Sequence, residues 1–139
     1  MKKEHENYIN YLQNLTETNL NDLPKYVVNN IKFKDPLHNV SGVNAVKIIF
    51  DKMFKNIKDI NFVVNYAISE GDICFLEWRF QGRLRGKKCD FNGTSLLKFG
   101  RDGLLKEHID YWDSGANLFA HFPILGWVIS YIFNKIRGA

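Results

Sequence analysis

Residues 59–112 read DINFVVNYAISEGDICFLEWRFQGRLRGKKCDFNGTSLLKFGRDGLLKEHIDYW. Four runs rich in β-branched and aromatic residues stand out: Asp59 to Ser69, Ile73 to Leu84, Lys88 to Phe99 and Leu104 to Trp112. Between them lie Glu70-Gly71-Asp72, Arg85-Gly86-Lys87 and Gly100-Arg101-Asp102-Gly103. Separators this short force each run to turn back antiparallel on the one before, so the stretch reads as a four-strand meander. A two-residue loop at Arg85-Gly86 also sets the register of the middle hairpin and places Cys74 opposite Leu97. Cys89 lies far from that position, and no disulfide is expected between the two cysteines.

Working outward, helical periodicity precedes the meander. Tyr8, Ile9, Tyr11, Leu12 and Leu15 recur at three- and four-residue spacing and mark one face of an amphipathic helix over Glu4 to Leu15. Asn19 or Asn21 restarts a short second helix. Tyr26 to Phe33 reads as a short strand closed by Lys34-Asp35-Pro36, because proline cannot continue a ladder and biases its predecessor to extended geometry. Ser41 is placed to cap a third helix with Val43, Val46, Phe50, Met53 and Ile57 on its buried stripe, ending near Asn56. Helices first and long antiparallel strands afterwards predict an α+β fold in which helices cover one face of a sheet that curls into a cone.

After the meander, Ser114 to Arg137 is apolar with little polar interruption, and Pro123 is placed to open its final helix. Asn117, His121, Pro123 and Gly126 break the ~20 apolar residues that a membrane crossing needs. The segment is expected to pack on the domain or in a dimer interface. The alternative is a helix resting on a membrane surface, apolar with Lys135 and Arg137 at its end, or closing a pocket mouth.

At 139 residues, 45% hydrophobic, the chain holds one core and reads as a single domain over residues 1–139, with 114–137 as a helical extension. The formal charge of +4 is spread along the chain without an aromatic-interleaved basic block, so no nucleic-acid partner is expected. Met1 to Asn7 is charged and lacks the apolar run of a secretory signal, which reads as a cytoplasmic location. The Arg83-Arg85-Lys87-Lys88 cluster reads as a solvated hairpin tip, with an anion contact as the minor alternative.

The order helix, helix, strand ending in Asp35-Pro36, helix, then four long strands closing on Asp110-Tyr111-Trp112-Asp113 resembles the ketosteroid isomerase and SnoaL-like branches of the nuclear transport factor 2-like superfamily. The resemblance covers Tyr8 to Leu118. It implies a cone-shaped fold with a curved antiparallel sheet packed against N-terminal helices, here with an extra apolar C-terminal helix, and a homodimer through the outer face of the sheet, where Glu77 and Arg79 sit. It also implies roles. Asp35 is the general base, and Tyr11, at the family's position on the first helix, donates to the developing oxyanion; ketosteroid isomerase is itself a worked instance of such a site. Ser95 stands where that family has a second, protonated acid. Limonene epoxide hydrolases, a further branch, use an Arg-x-Asp set on an earlier strand, but the matching stretch here is Trp78-Arg79-Phe80, so that set is missing.

Strand alternation puts His108, Asp110 and Trp112 on one face and Trp78 with Phe80 on a similar face of the neighbouring hairpin. If Trp112 faces the cavity, so do His108 and Asp110. Each candidate has a plainer reading: Asp35 as a turn former, Tyr11 as a core aromatic, Asp110 and His108 as a structural charge pair, His38 as a solvated loop residue or a gate, and Trp78, Phe80 and Trp112 as core. Two functions stay open. One is an isomerase- or lyase-like enzyme without cofactor or metal, acting by proton abstraction on a small hydrophobic carbonyl or polyketide-like ring. Asp35 is then the base, Tyr11 the oxyanion donor and Asp110 with His108 a second acid/base pair, and Trp78, Phe80, Ser95, Trp112 and His38 contact the substrate. The other is a non-catalytic module of the same fold that binds an apolar ligand, a protein or a membrane surface.

Overall fold

The computed structural model describes residues 1–117 and 123–138. Helix α1, Lys3–Gln13, carries Glu4 and Glu6 in its first turn, where carboxylates complement the exposed amides of a helix start. Its buried face is His5, Tyr8, Ile9, Tyr11 and Leu12. A short 3-10 helix, Asn19–Lys25, buries Leu20 and Leu23 and hands the chain to strand β1, Val27–Lys34. Strand β2, Asn39–Ser41, is three residues long and pairs antiparallel with the end of β1.

The predicted cap of the next helix is corrected here. Ser41 belongs to β2, and the residue before α2, Val43–Asn56, is Gly42 at φ 105°, a conformation that a β-carbon disfavours. The helix ends at Asn56, as the periodicity predicts.

The meander follows as β3, Ile57–Glu70; β4, Ile73–Leu84; β5, Lys87–Phe99; and β6, Leu105–Tyr111. The hairpin between β4 and β5 turns at Arg85 and Gly86, both at positive φ, the backbone that a two-residue loop between right-twisted strands requires. Its register pairs Cys74 with Leu97 and Gly82 with Cys89, setting the two cysteines at opposite ends of β4 and β5. One face of β4 buries Cys74, Leu76, Trp78 and Phe80, while Phe75, Arg79 and Arg83 face outward.

The sheet is curved and unclosed, with six strands in the order β2-β1-β6-β5-β4-β3. Local sequence did not foretell its middle: β1 runs parallel to β6, with Phe33 beside His108 and Lys34 beside Ile109. A shift of register between β5 and β6 at Lys98/Phe99 turns both Leu105 and His108 into the interior despite their odd spacing. The core is continuous from Tyr8 and Leu12 through Leu23, Ile31 and Phe33 to Leu76, Leu97 and Leu105.

Beyond β6, a single turn α3, Ser114–Asn117, precedes α4, Pro123–Arg137, which opens on the predicted proline. Phe119 and Phe122, expected to pack here, lie outside the described residues. No helix among the described residues is long and apolar enough to cross a membrane.

Candidate functional site

A cavity of about 400 Å³ opens between the curved sheet, α1 and α2. Leu12, Phe50, Met53, Phe62 and Phe91 supply its apolar wall. Gln13, Lys52, Asn56 and Asn117 of the helices line it as well, and four further polar groups come from two neighbouring strands. Asp35 and His38 follow β1, and His108 and Asp110 lie on β6, so the parallel seam brings residues distant in the chain onto one wall. Trp78, Phe80 and Trp112 also line it.

The hydrogen bonds give this wall a direction. Asp110 Oδ1 lies 2.6 Å from His108 Nε2 and 2.5 Å from Ser95 Oγ. His108 Nδ1 lies 2.9 Å from the Tyr8 hydroxyl, and Trp78 Nε1 donates to Ser95 Oγ at 2.8 Å. With Asp110 as the acceptor, His108 donates from Nε2, which leaves Nδ1 to accept from Tyr8. Two donor chains, Tyr8 to His108 and Trp78 to Ser95, therefore converge on a single carboxylate oxygen. Among the described residues no hydrogen bond falls on Asp110 Oδ2.

The strands explain why these groups meet. Ser95 stands directly opposite Asp110 across β5 and β6, and Trp78 directly opposite Gly93 across β4 and β5. The Trp78 ring lies over the bare Cα of Gly93, where a β-carbon would stand only 2.3 Å from the nearest ring carbon. That seat carries the indole N–H to Ser95. His108 is itself wedged between the rings of Tyr8 and Phe33, with centroids at 5.9 and 5.1 Å. Ser95 and His108 are both buried.

Asp35 lines the same cavity but is engaged by its own turn. Its Oδ1 accepts from the backbone N–H of Leu37 at 2.8 Å and of His38 at 2.7 Å. His38 Nδ1 lies 2.9 Å from Oδ1 and 3.1 Å from Oδ2. The arrangement makes Asp35 the orienting partner of His38, and among the described residues no hydrogen bond falls on His38 Nε2.

Tyr11 requires a correction of geometry. It does not reach the cavity: its hydroxyl donates to the Asn19 carbonyl at 3.0 Å, and its ring stacks on Tyr26 at 4.3 Å. The phenol that joins the polar wall is Tyr8, one helical turn earlier on the same face. Arg79, in the stretch where the sequence lacks an Arg-x-Asp set, points outward and grips Asp90 with Nε at 2.8 Å and Nη2 at 2.6 Å.

Burial holds the Tyr8 phenol well above its ordinary pKa of 10, and the nearby Asp110 carboxylate adds to the effect. Tyr11 is raised as well, chiefly by burial. Above pH 10 an unfolded chain loses these protons while the folded chain keeps them, so folding stability declines as pH rises. We expect the urea midpoint to fall from pH 9 to pH 11, and to fall less steeply in Tyr8→Phe; equal slopes would show that Tyr8 is not held protonated by the fold. Among the described residues no three His, Cys, Asp or Glu side chains converge as a metal-ligand set.

A family model described as SnoaL-like domain matches residues 8–108. No curated protein matches the chain. Several solved structures share the fold at low identity. A protein of ketosteroid isomerase-like fold from Catenulispora acidiphila, in complex with trimethylamine, is 16% identical with a TM-score of 0.71, over 85% of this chain and 91% of that one. An LEH-like epoxide hydrolase from M. tuberculosis is 12% identical with a TM-score of 0.67, over 94% and 89%. A protein assigned as a SnoaL-like polyketide cyclase from Jannaschia is 17% identical with a TM-score of 0.63, over 70% and 74%. At these identities the likeness is one of fold.

Proposed function

Because the chain belongs to the SnoaL-like domain family, we propose that its cavity performs acid/base chemistry on a small hydrophobic carbonyl compound, by removing a proton next to the carbonyl. The observation that carries this reading is the convergence of two donor chains on Asp110 Oδ1 in an apolar cavity, with Oδ2 left over.

Asp110 takes the proton. The enolate oxygen that forms accepts a hydrogen bond from His38 Nε2, while Asp35 holds Nδ1. Where a carbon–carbon double bond of the substrate is conjugated with the enolate, the proton returns from Asp110 to the far carbon of that system, giving the isomer with the double bond shifted. In a substrate with a second carbonyl, the enolate carbon attacks it and closes a ring, and the new alkoxide takes the proton. Atoms balance in both cases without an added reactant. Tyr8 and Ser95, the latter expected to contact substrate, stand behind the cavity lining and are positioning residues that hold His108 and Asp110 in one geometry, while Trp78 both lines the cavity and anchors Ser95.

The test is exchange of the α-protons of a panel of apolar ketones and β-diketones in D2O. Exchange is expected to exceed that in buffer for at least one member. Tyr8→Phe, which removes one hydrogen bond to His108, is expected to slow it by roughly 10-fold with little change in KM, whereas Tyr11→Phe leaves it within about twofold. Binding of panel members without any exchange would instead establish a ligand-binding module.

A further inference from the structure

Helix α4 reads PILGWVISYIFNKIR and contains no acidic residue. Its inward side is narrow. Gly126 is buried, Ile129 and Phe133 are half-buried, and the tip of the Phe133 ring lies so close to Gly115 that a β-carbon there would stand 2.7 Å from it. Its outward side is broad and largely apolar: Trp127, Val128, Tyr131, Ile132 and Ile136 are all exposed, Trp127 at 71% and Ile136 at 79%, with Ser130 and Asn134 exposed among them. Trp127 and Tyr131 stack with centroids 6.1 Å apart, and Lys135 Nζ sits 5.8 Å from the Tyr131 ring centroid.

An exposed face of this kind marks a contact surface. Three features choose between occupants. The only charges on the helix are cations, Lys135 and Arg137, both in its last turn. Tryptophan and tyrosine lie side by side on the exposed face, the residues favoured where hydrocarbon meets headgroups. Fifteen residues of helix extend only about 22 Å, short of the ~30 Å of a bilayer core, which suits a helix lying in the surface and not one crossing it.

We propose that α4 docks the protein on an anionic lipid surface, with Trp127, Val128, Tyr131, Ile132 and Ile136 sunk into the headgroup boundary and Lys135 and Arg137 on lipid phosphates. The proposal does not depend on catalysis in the cavity.

The test is co-sedimentation of the full chain with vesicles of phosphatidylcholine alone or with phosphatidylserine added, read together with tryptophan emission. The chain is expected to sediment with the anionic vesicles, less so at high salt. Its emission should shift to the blue, because Trp127 is the exposed tryptophan and Trp78 is already buried. Trp127→Ser combined with Ile136→Ser should weaken binding at least tenfold, and Lys135→Gln with Arg137→Gln roughly thirtyfold. Both pairs alter exposed side chains and should leave the melting temperature unchanged. Failure to sediment, equal binding to neutral vesicles, or undiminished binding by the variants would overturn the proposal. So would light scattering that shows a dimer broken by Trp127→Ser with Ile136→Ser, since a second copy would then cover the face.

Discussion

Asp110→Asn is expected to reduce turnover by about 10²–10⁴-fold while leaving the fold intact. The amide oxygen can still accept from His108 and Ser95, so the two donor chains keep an end point and stability should change by no more than about 1 kcal/mol. What disappears is the basic oxygen left over for the substrate. Asp35→Asn gives the contrast. Its carboxylate is spent on His38 and on two backbone amides, and an asparagine preserves the turn. The loss should therefore be smaller, because His38 loses only its orienting partner. Steady-state kinetics on whichever panel member exchanges fastest, with circular dichroism on both variants, measures the difference. If Asp35→Asn proves inert and Asp110→Asn retains full activity, the roles given to the two carboxylates are reversed.

Gly93→Val is expected to be the most damaging substitution of a residue that touches no ligand. Any β-carbon at Gly93 collides with the Trp78 ring, which is buried against Phe62 and Phe91 and must shift to make room. Overpacking of this kind costs roughly 1–3 kcal/mol, to be read from the urea midpoint. A second effect separates this site from other crowded positions. Displacing the indole withdraws its N–H from Ser95, and Ser95 loses the partner that aims its hydroxyl at Asp110. Folded Gly93→Val should thus show reduced kcat even under conditions where it is fully native. Full activity in the folded variant would mean that the Trp78–Ser95 arm does not position Asp110.

The strand boundaries and the β4–β5 register could be read from sequence because they depend on neighbours. A two-residue loop dictates the pairing of Cys74 with Leu97 without reference to the rest of the molecule. Alternation placed Trp78, Phe80, His108, Asp110 and Trp112 by the same local logic. Tyr8 was harder to find. It and Tyr11 share one face of α1, and only the way that helix rests on β6 decides which phenol meets His108. β2 was missed because three residues cannot display a period. The seat of Trp78 over Gly93 is a relation between two strands, whereas in the sequence it is one glycine among ten.

The parallel seam between β1 and β6 also sets an order of events during synthesis. β1 is complete at Lys34, but the strand that fills its second side begins at Leu105. At about 5–20 residues per second the growing chain carries that unfilled edge for roughly 4–14 s, with only the three residues of β2 on the other side. β3, β4 and β5 can zip as hairpins in the meantime, since their contacts are close in sequence. The wall that carries Asp35 must wait for Asp110. A ribosome-bound fragment ending before β6 would hold most of the sheet and none of the assembled site, and its exposed edge would be the point at which chaperones, or other nascent chains, first take hold.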